Sequence, residues 1–186
     1  MTLRDDAARL LPELVTLRRE LHRIPEPGFD LPQTQRAVLD ALEGLGLEIT
    51  SGTDLSSVTA VLRGAVDGPS VLLRGDMDAL AIVEETGLDY AATNGAMHAC
   101  GHDLHVAGLV GAARLLAARR DRIAGSVVFM FQPGEEAGGG APLMIRDGVL
   151  EASGRRVEAA YGIHVGPGSA DGSSSSRARS WPVRTC

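Results

Sequence analysis

The stretch richest in reactive side chains is MHACGHDLH, residues 97–105. His98, His102 and His105, three of the five histidines of the chain, fall within eight residues around Cys100. In an extended segment, residues i and i+2 project to the same side, so Cys100 and His102 can face one ion. A thiolate beside an imidazole suits zinc or another borderline transition metal. The competing reading is an ordinary helix start, since Gly101 permits a tight turn and Asp103 is a good N-cap.

Three further groups carry chemistry. Glu135 and Glu136, adjacent in GEEAGGG, follow an apolar run. Adjacent side chains diverge, so one can hold a metal while the other handles a proton; the alternative is a solvated acidic loop. Asp76 and Asp78, in RGDMD, share the i, i+2 relation. Either can bind a metal or orient a metal-bound imidazole, and a strand-ending turn explains the pair equally well. His164, in GIHV, is a lone histidine in an apolar segment, a place more often filled by a satisfied core histidine than by a ligand.

The elements that must position these groups can be read from hydrophobic period. Leu3, Ala7, Leu10, Leu14, Leu17, Leu21 and Ile24 form one stripe of an amphipathic helix that Pro25 and Pro27 stop. Pro32 opens a second helix to about Leu45, ended by Gly44 and Gly46. Residues 57–63 and 70–74 are short, rich in Val and Leu, and read as strands. A helix is expected from His102 or Asp103 to about Arg119, then a fully covered strand over 126–131 (SVVFMF). A short helix around Met144 and a strand over 157–165 complete the order. This succession predicts an α/β fold with a mostly parallel central sheet. Each reactive cluster then lies at a strand end or a helix start, and parallel strands bring such ends to one edge, where open α/β sheets bind ligands.

Other chemistries are excluded. Gly-x-Ser-x-Gly is absent, and Gly138–Gly140 is not followed by Lys-Ser/Thr, which removes serine-hydrolase and P-loop readings. All 18 basic residues are Arg, so no lysine-based mechanism exists. A net charge of −6 gives no reason to expect nucleic acid. No stretch reaches about 18 uncharged apolar residues, and Met1–Asp6 does not resemble a secretory leader, so a cytoplasmic protein without membrane contact is expected. With only Cys100 and Cys186 present, a redox role for Cys100 lacks a nearby resolving cysteine.

Five motifs in order, LRRELHRIPEPGFDLPQTQ, VLLRGDMDAL, MHACGHDLHVAGLVGAA, VVFMFQPGEEAGGGAPLMIRDGVL and YGIHVGP, resemble the N-terminal half of a family of amidohydrolases. It includes hippurate hydrolases, N-acyl-amino-acid amidohydrolases and indole-acetyl-amino-acid hydrolases, related to aminoacylase and carboxypeptidase-like dinuclear metallopeptidases. The resemblance implies an αβα-sandwich catalytic domain with two divalent metal ions (Mn, Zn, Co or Ni). It implies Cys100 as the ligand bridging both ions, with His102, Glu136 and His164 as further ligands. It implies Glu135 as the general base on the attacking water and Asp78 as a carboxylate orienting the site. The substrate would be an N-acyl-amino acid.

Family members run to about twice this length and carry a lid or dimerisation domain, through which they form homo-oligomers, and a last metal-binding histidine. The sequence reading therefore takes 1–168 as the N-terminal portion of the catalytic domain, with the lid absent and a sheet edge left open. Residues 169–186 hold six serines in 18 residues and read as a disordered Ser/Arg-rich tail foreign to the family. On this reading the chain is truncated and is a weakly active or inactive enzyme form, or else a non-catalytic metal-binding or interaction fragment.

Overall fold

The computed structural model describes residues 2–166; the tail expected over 169–186 lies outside them. Helices α1 (Leu3–Arg23) and α2 (Pro32–Leu42) lead into strands β1 (Glu48–Ser51), β2 (Val58–Arg63) and β3 (Val66–Asp76). Helix α3 (His102–Ala117), strand β4 (Ala124–Gln132), helix α4 (Gly140–Arg146) and strand β5 (Ala159–Gly162) follow. The sheet order is β1-β2-β4-β3-β5. Strands β4, β3 and β5 pair in parallel, while β2 runs antiparallel to both β1 and β4. Four strands therefore point one way and β2 the other, the mostly parallel α/β sheet expected.

Alternation along the strands divides the core in two. On one face Val127, Phe129 and Phe131 of β4 join Val58, Ala60 and Leu62 of β2 against Leu21, Val38 and Val106 of the three long helices. On the other, Val128 and Met130 join Val61 and Leu72 against Met144 of α4 and Val149. The sheet is thus covered on both faces, thickly by α1–α3 and thinly by α4.

The α1 stripe holds, but its depth is graded: Leu21 is buried, Leu10, Leu14 and Leu17 are half-buried, and Leu3 is exposed. α2 stops at Leu42 and α3 at Ala117, each shorter than expected, whereas β3 runs back to Val66. β5 is also shorter than the expected 157–165, and Tyr161 and Ile163 at this sheet edge are exposed.

Phe129 is fully buried in the central strand. Phe129→Ala is expected to cost about 3–5 kcal/mol, read as a lowered urea midpoint at unchanged slope.

Candidate metal centre

The three parallel strands β4, β3 and β5 end in register, with Asp76 opposite Gln132 and Arg74 opposite Gly162. The residues just beyond those ends are Asp78, Glu135 with Glu136, and His164. The N-terminus of α3 adds His102, preceded by Cys100. Gly101 makes the entry to α3: its φ is +79°, and a Cβ there would stand 2.6 Å from Val165 Cγ2. A side chain at 101 would be strained by conformation and would push away the segment carrying His164.

His102 is fully buried. Its Nδ1 lies 2.8 Å from the backbone carbonyl of Asp78. A carbonyl only accepts, so Nδ1 carries the proton, and in the neutral ring Nε2 presents a lone pair. That Nε2 is buried and, among the described residues, has no hydrogen-bond partner. Around it stand Asp76 Oδ2 at 3.5 Å, Glu135 Oε2 at 3.9 Å and Glu136 Oε1 at 3.9 Å. An acceptor ringed by carboxylates repels them unless a proton or a cation lies between. The donor set, with a thiol and a second imidazole beside it, fits a borderline divalent metal.

Cys100 Sγ lies 3.3 Å from His164 Nε2. Cys100, His102 and His164 can present donor atoms all within 4.8 Å of one another, as can His102, Glu135 and Glu136. The structure thus brings Cys100, His102, His164, Glu135 and Glu136 together, while His98 stands outside these donor groups. Glu135 and Glu136 keep 41% and 24% of their side chains exposed, so the carboxylates form an open rim.

The carboxylates of the site act on both donor groups beside them. Burial pushes the Cys100 thiol up, and the nearby Glu136, Glu135 and Asp76 carboxylates push it further. Burial alone would lower His102, but Asp78 and Asp76 more than offset it and raise the imidazole. A dication bound here would favour the thiolate of Cys100 and the neutral imidazole of His102.

The two aspartates separate cleanly. The Asp78 carboxylate accepts the backbone N–H of Glu135 and of Glu136, each at 2.9 Å, and so sets where both glutamates start. Asp76 turns inward, to His105 Nδ1 at 2.5 Å and Arg74 at 2.7 Å. Burial raises its carboxyl, but the His105 hydrogen bond and the Arg74 charge outweigh burial and hold it low.

Sequence reasoning missed a second buried network. Asp103 does not cap α3; its Oδ2 meets His22 Nδ1 at 2.6 Å and Arg18 Nε at 2.8 Å. His22 Nε2 reaches Glu84 at 3.1 Å, and Glu84 accepts the N–H of Ala92. This ties the β3–α3 loop, which carries Cys100, to α1. The available signal was a histidine beside Leu21 at the deep end of the α1 stripe.

The sequence pattern of peptidase family M20/M25/M40 matches residues 72–178, more than half of the chain. The chain belongs to this family. As an M20-family chain it is 40% identical over 167 residues to thermostable carboxypeptidase 1 of Saccharolobus solfataricus, covering 88% of this chain and 42% of that protein. It is 39% identical over 173 residues to an N-acetyl-L-cysteine deacetylase of Bacillus subtilis, covering 90% and 41%. A dinuclear metal-binding M20 peptidase from Bacillus subtilis superposes with a TM-score of 0.78 at 39% identity, over 88% of this chain and 44% of that one. The M20-family chain thus spans about two fifths of these relatives' length. Among its described residues no helix is long and apolar enough to cross a membrane.

One buried group beside the site makes stability depend on pH. His98 is 4% exposed, and among the described residues neither ring nitrogen has a partner. Burial pushes its pKa from 6.5 down to about 4, against the pull of Asp103. A depressed histidine contributes stability above its unfolded value, and that contribution is lost as pH falls from about 6.5 to 4. His98→Gln should therefore lose less of its urea midpoint between pH 7.5 and 4.5 than the unmodified chain does.

Proposed function

We propose that this chain is part of a metal-dependent amidohydrolase acting on N-acyl-amino acids, hippurate-like compounds included. The observation that carries the reading is His102 Nε2, buried, unpartnered and ringed by Asp76, Glu135 and Glu136. On this reading Cys100, His102, Glu136 and His164 would hold two divalent ions. Mn, Zn, Co and Ni all suit that donor set. Bound there, such ions would lower the pKa of a water and polarise an amide carbonyl.

The remaining work falls to the chain's own side chains. Glu135, half-exposed at the rim, takes the proton of the attacking water and passes it to the leaving amine. Asp78 holds the backbone of Glu135 and Glu136, so base and ligand keep a fixed separation. The substrate class draws on the relatives' names. N-acetylcysteine and the C-terminal end of a peptide share an acylated amino group next to a free carboxylate.

Residues 1–168 are, in this account, a portion of the catalytic domain, and the 186 residues alone turn over slowly or not at all. A second reading is a non-catalytic metal-binding fragment. The test is hydrolysis of hippurate and N-acetyl-amino acids with Mn, Zn, Co or Ni added, together with metal analysis of the purified chain. Any turnover should fall by about 10²–10⁴-fold in Glu135→Gln while metal content is kept. Turnover that Glu135→Gln abolishes supports the enzyme reading and contradicts the non-catalytic one; no metal binding contradicts both.

A further inference from the structure

The proposed ligand His164 is the least secured member of the site. The β3–β5 ladder ends at the Arg74–Gly162 pair, and Ile163 beyond it is 80% exposed. From 163 to 166, one backbone hydrogen bond to another element exists among the described residues: Val165 N–H donates to His105 Nε2 at 2.9 Å. Accepting there leaves the His105 proton on Nδ1, which faces Asp76 Oδ1 at 2.5 Å. Asp76 is itself fully buried and paired with Arg74. His105 thus stands on a fixed base, with its tautomer set from below and its acceptor aimed outward.

We propose that His105 is a positioning residue that delivers His164 to Cys100 by holding the Val165 amide; the inference rests on the metal reading above. His105 ligates nothing in this scheme. Its ring packs between those of His102 and His164, with centroids 5.4 and 4.8 Å away. The 3.3 Å approach of Cys100 Sγ to His164 Nε2 follows from where Val165 is pinned. The Asp76–His105–Val165 chain therefore acts on the site through the backbone.

Two measurements on the full chain test this. The first needs no metal: amide exchange by NMR should show Val165 protected relative to Ile163 and His164, and losing that protection in His105→Phe. Equal rates in the unmodified chain overturn the proposal even if the variant fails to fold. The second is titration with cobalt(II), followed by its thiolate charge-transfer absorption. His105→Phe should weaken binding by about 10–100-fold, and His105→Gln, whose amide oxygen can accept from Val165, should recover part of it. In a His164→Ala background the His105→Phe change should have no further effect, whereas a merely structural role gives additive losses. A loss with His164→Ala but none with His105→Phe overturns this inference alone. No loss with His164→Ala overturns the metal reading of His164, and this inference with it.

Discussion

The site hangs on Asp78. Fully buried just beyond the end of β3, it makes three hydrogen bonds to three different positions. Its carbonyl fixes the tautomer and direction of His102, and its two carboxylate oxygens take the amides of Glu135 and Glu136. Hydrogen bonds to a charged group contribute about 1.5–3 kcal/mol each, and a buried carboxylate left unpaired costs more. The β3 end, the α3 start and the loop after β4 therefore cannot move independently. This lock is what lets an imidazole nitrogen sit buried among carboxylates in one geometry.

From that knot outward the site grades from rigid to open. Asp76, Asp78 and His102 are fully buried. Glu135, Glu136 and His164 stand at the rim, where a small molecule can reach. The cluster is thus anchored in the core on one side and open on the other. The His22–Asp103 pair adds a second tie beneath α3, so the helix that starts with His102 is held at its first turn from two directions.

Much of this was legible in the sequence, for identifiable reasons. The long helices and β4 show because apolar residues repeat at 3.6 or run unbroken where both faces are covered. Cys100, His102, Glu135, Glu136 and His164 show because each lies next to a strong strand or helix signal. β1 was missed because all four of its residues are exposed, leaving no hydrophobic period to read. β5 was overextended because YGIHV remains apolar past Gly162 although its ladder ends there. The division of labour between Asp76 and Asp78 was not legible, since identical side chains two apart are told apart only by what packs above and below them. The role of Asp103 was mistaken because a favourable cap residue at a helix start is a local preference, and His22 and Arg18 lie about 80 residues away in sequence.

In the proposed centre Cys100 and His102 bind the same metal from a framework set by Asp78. X-ray absorption at the zinc edge, on the full chain loaded with zinc, reads both ligands at once. A sulfur neighbour at about 2.3 Å is expected together with imidazole nitrogen at about 2.0–2.1 Å. The sulfur signal should vanish in Cys100→Ser and the imidazole signal should weaken in His102→Ala. A zinc environment of oxygen alone, unchanged by either substitution, would contradict it.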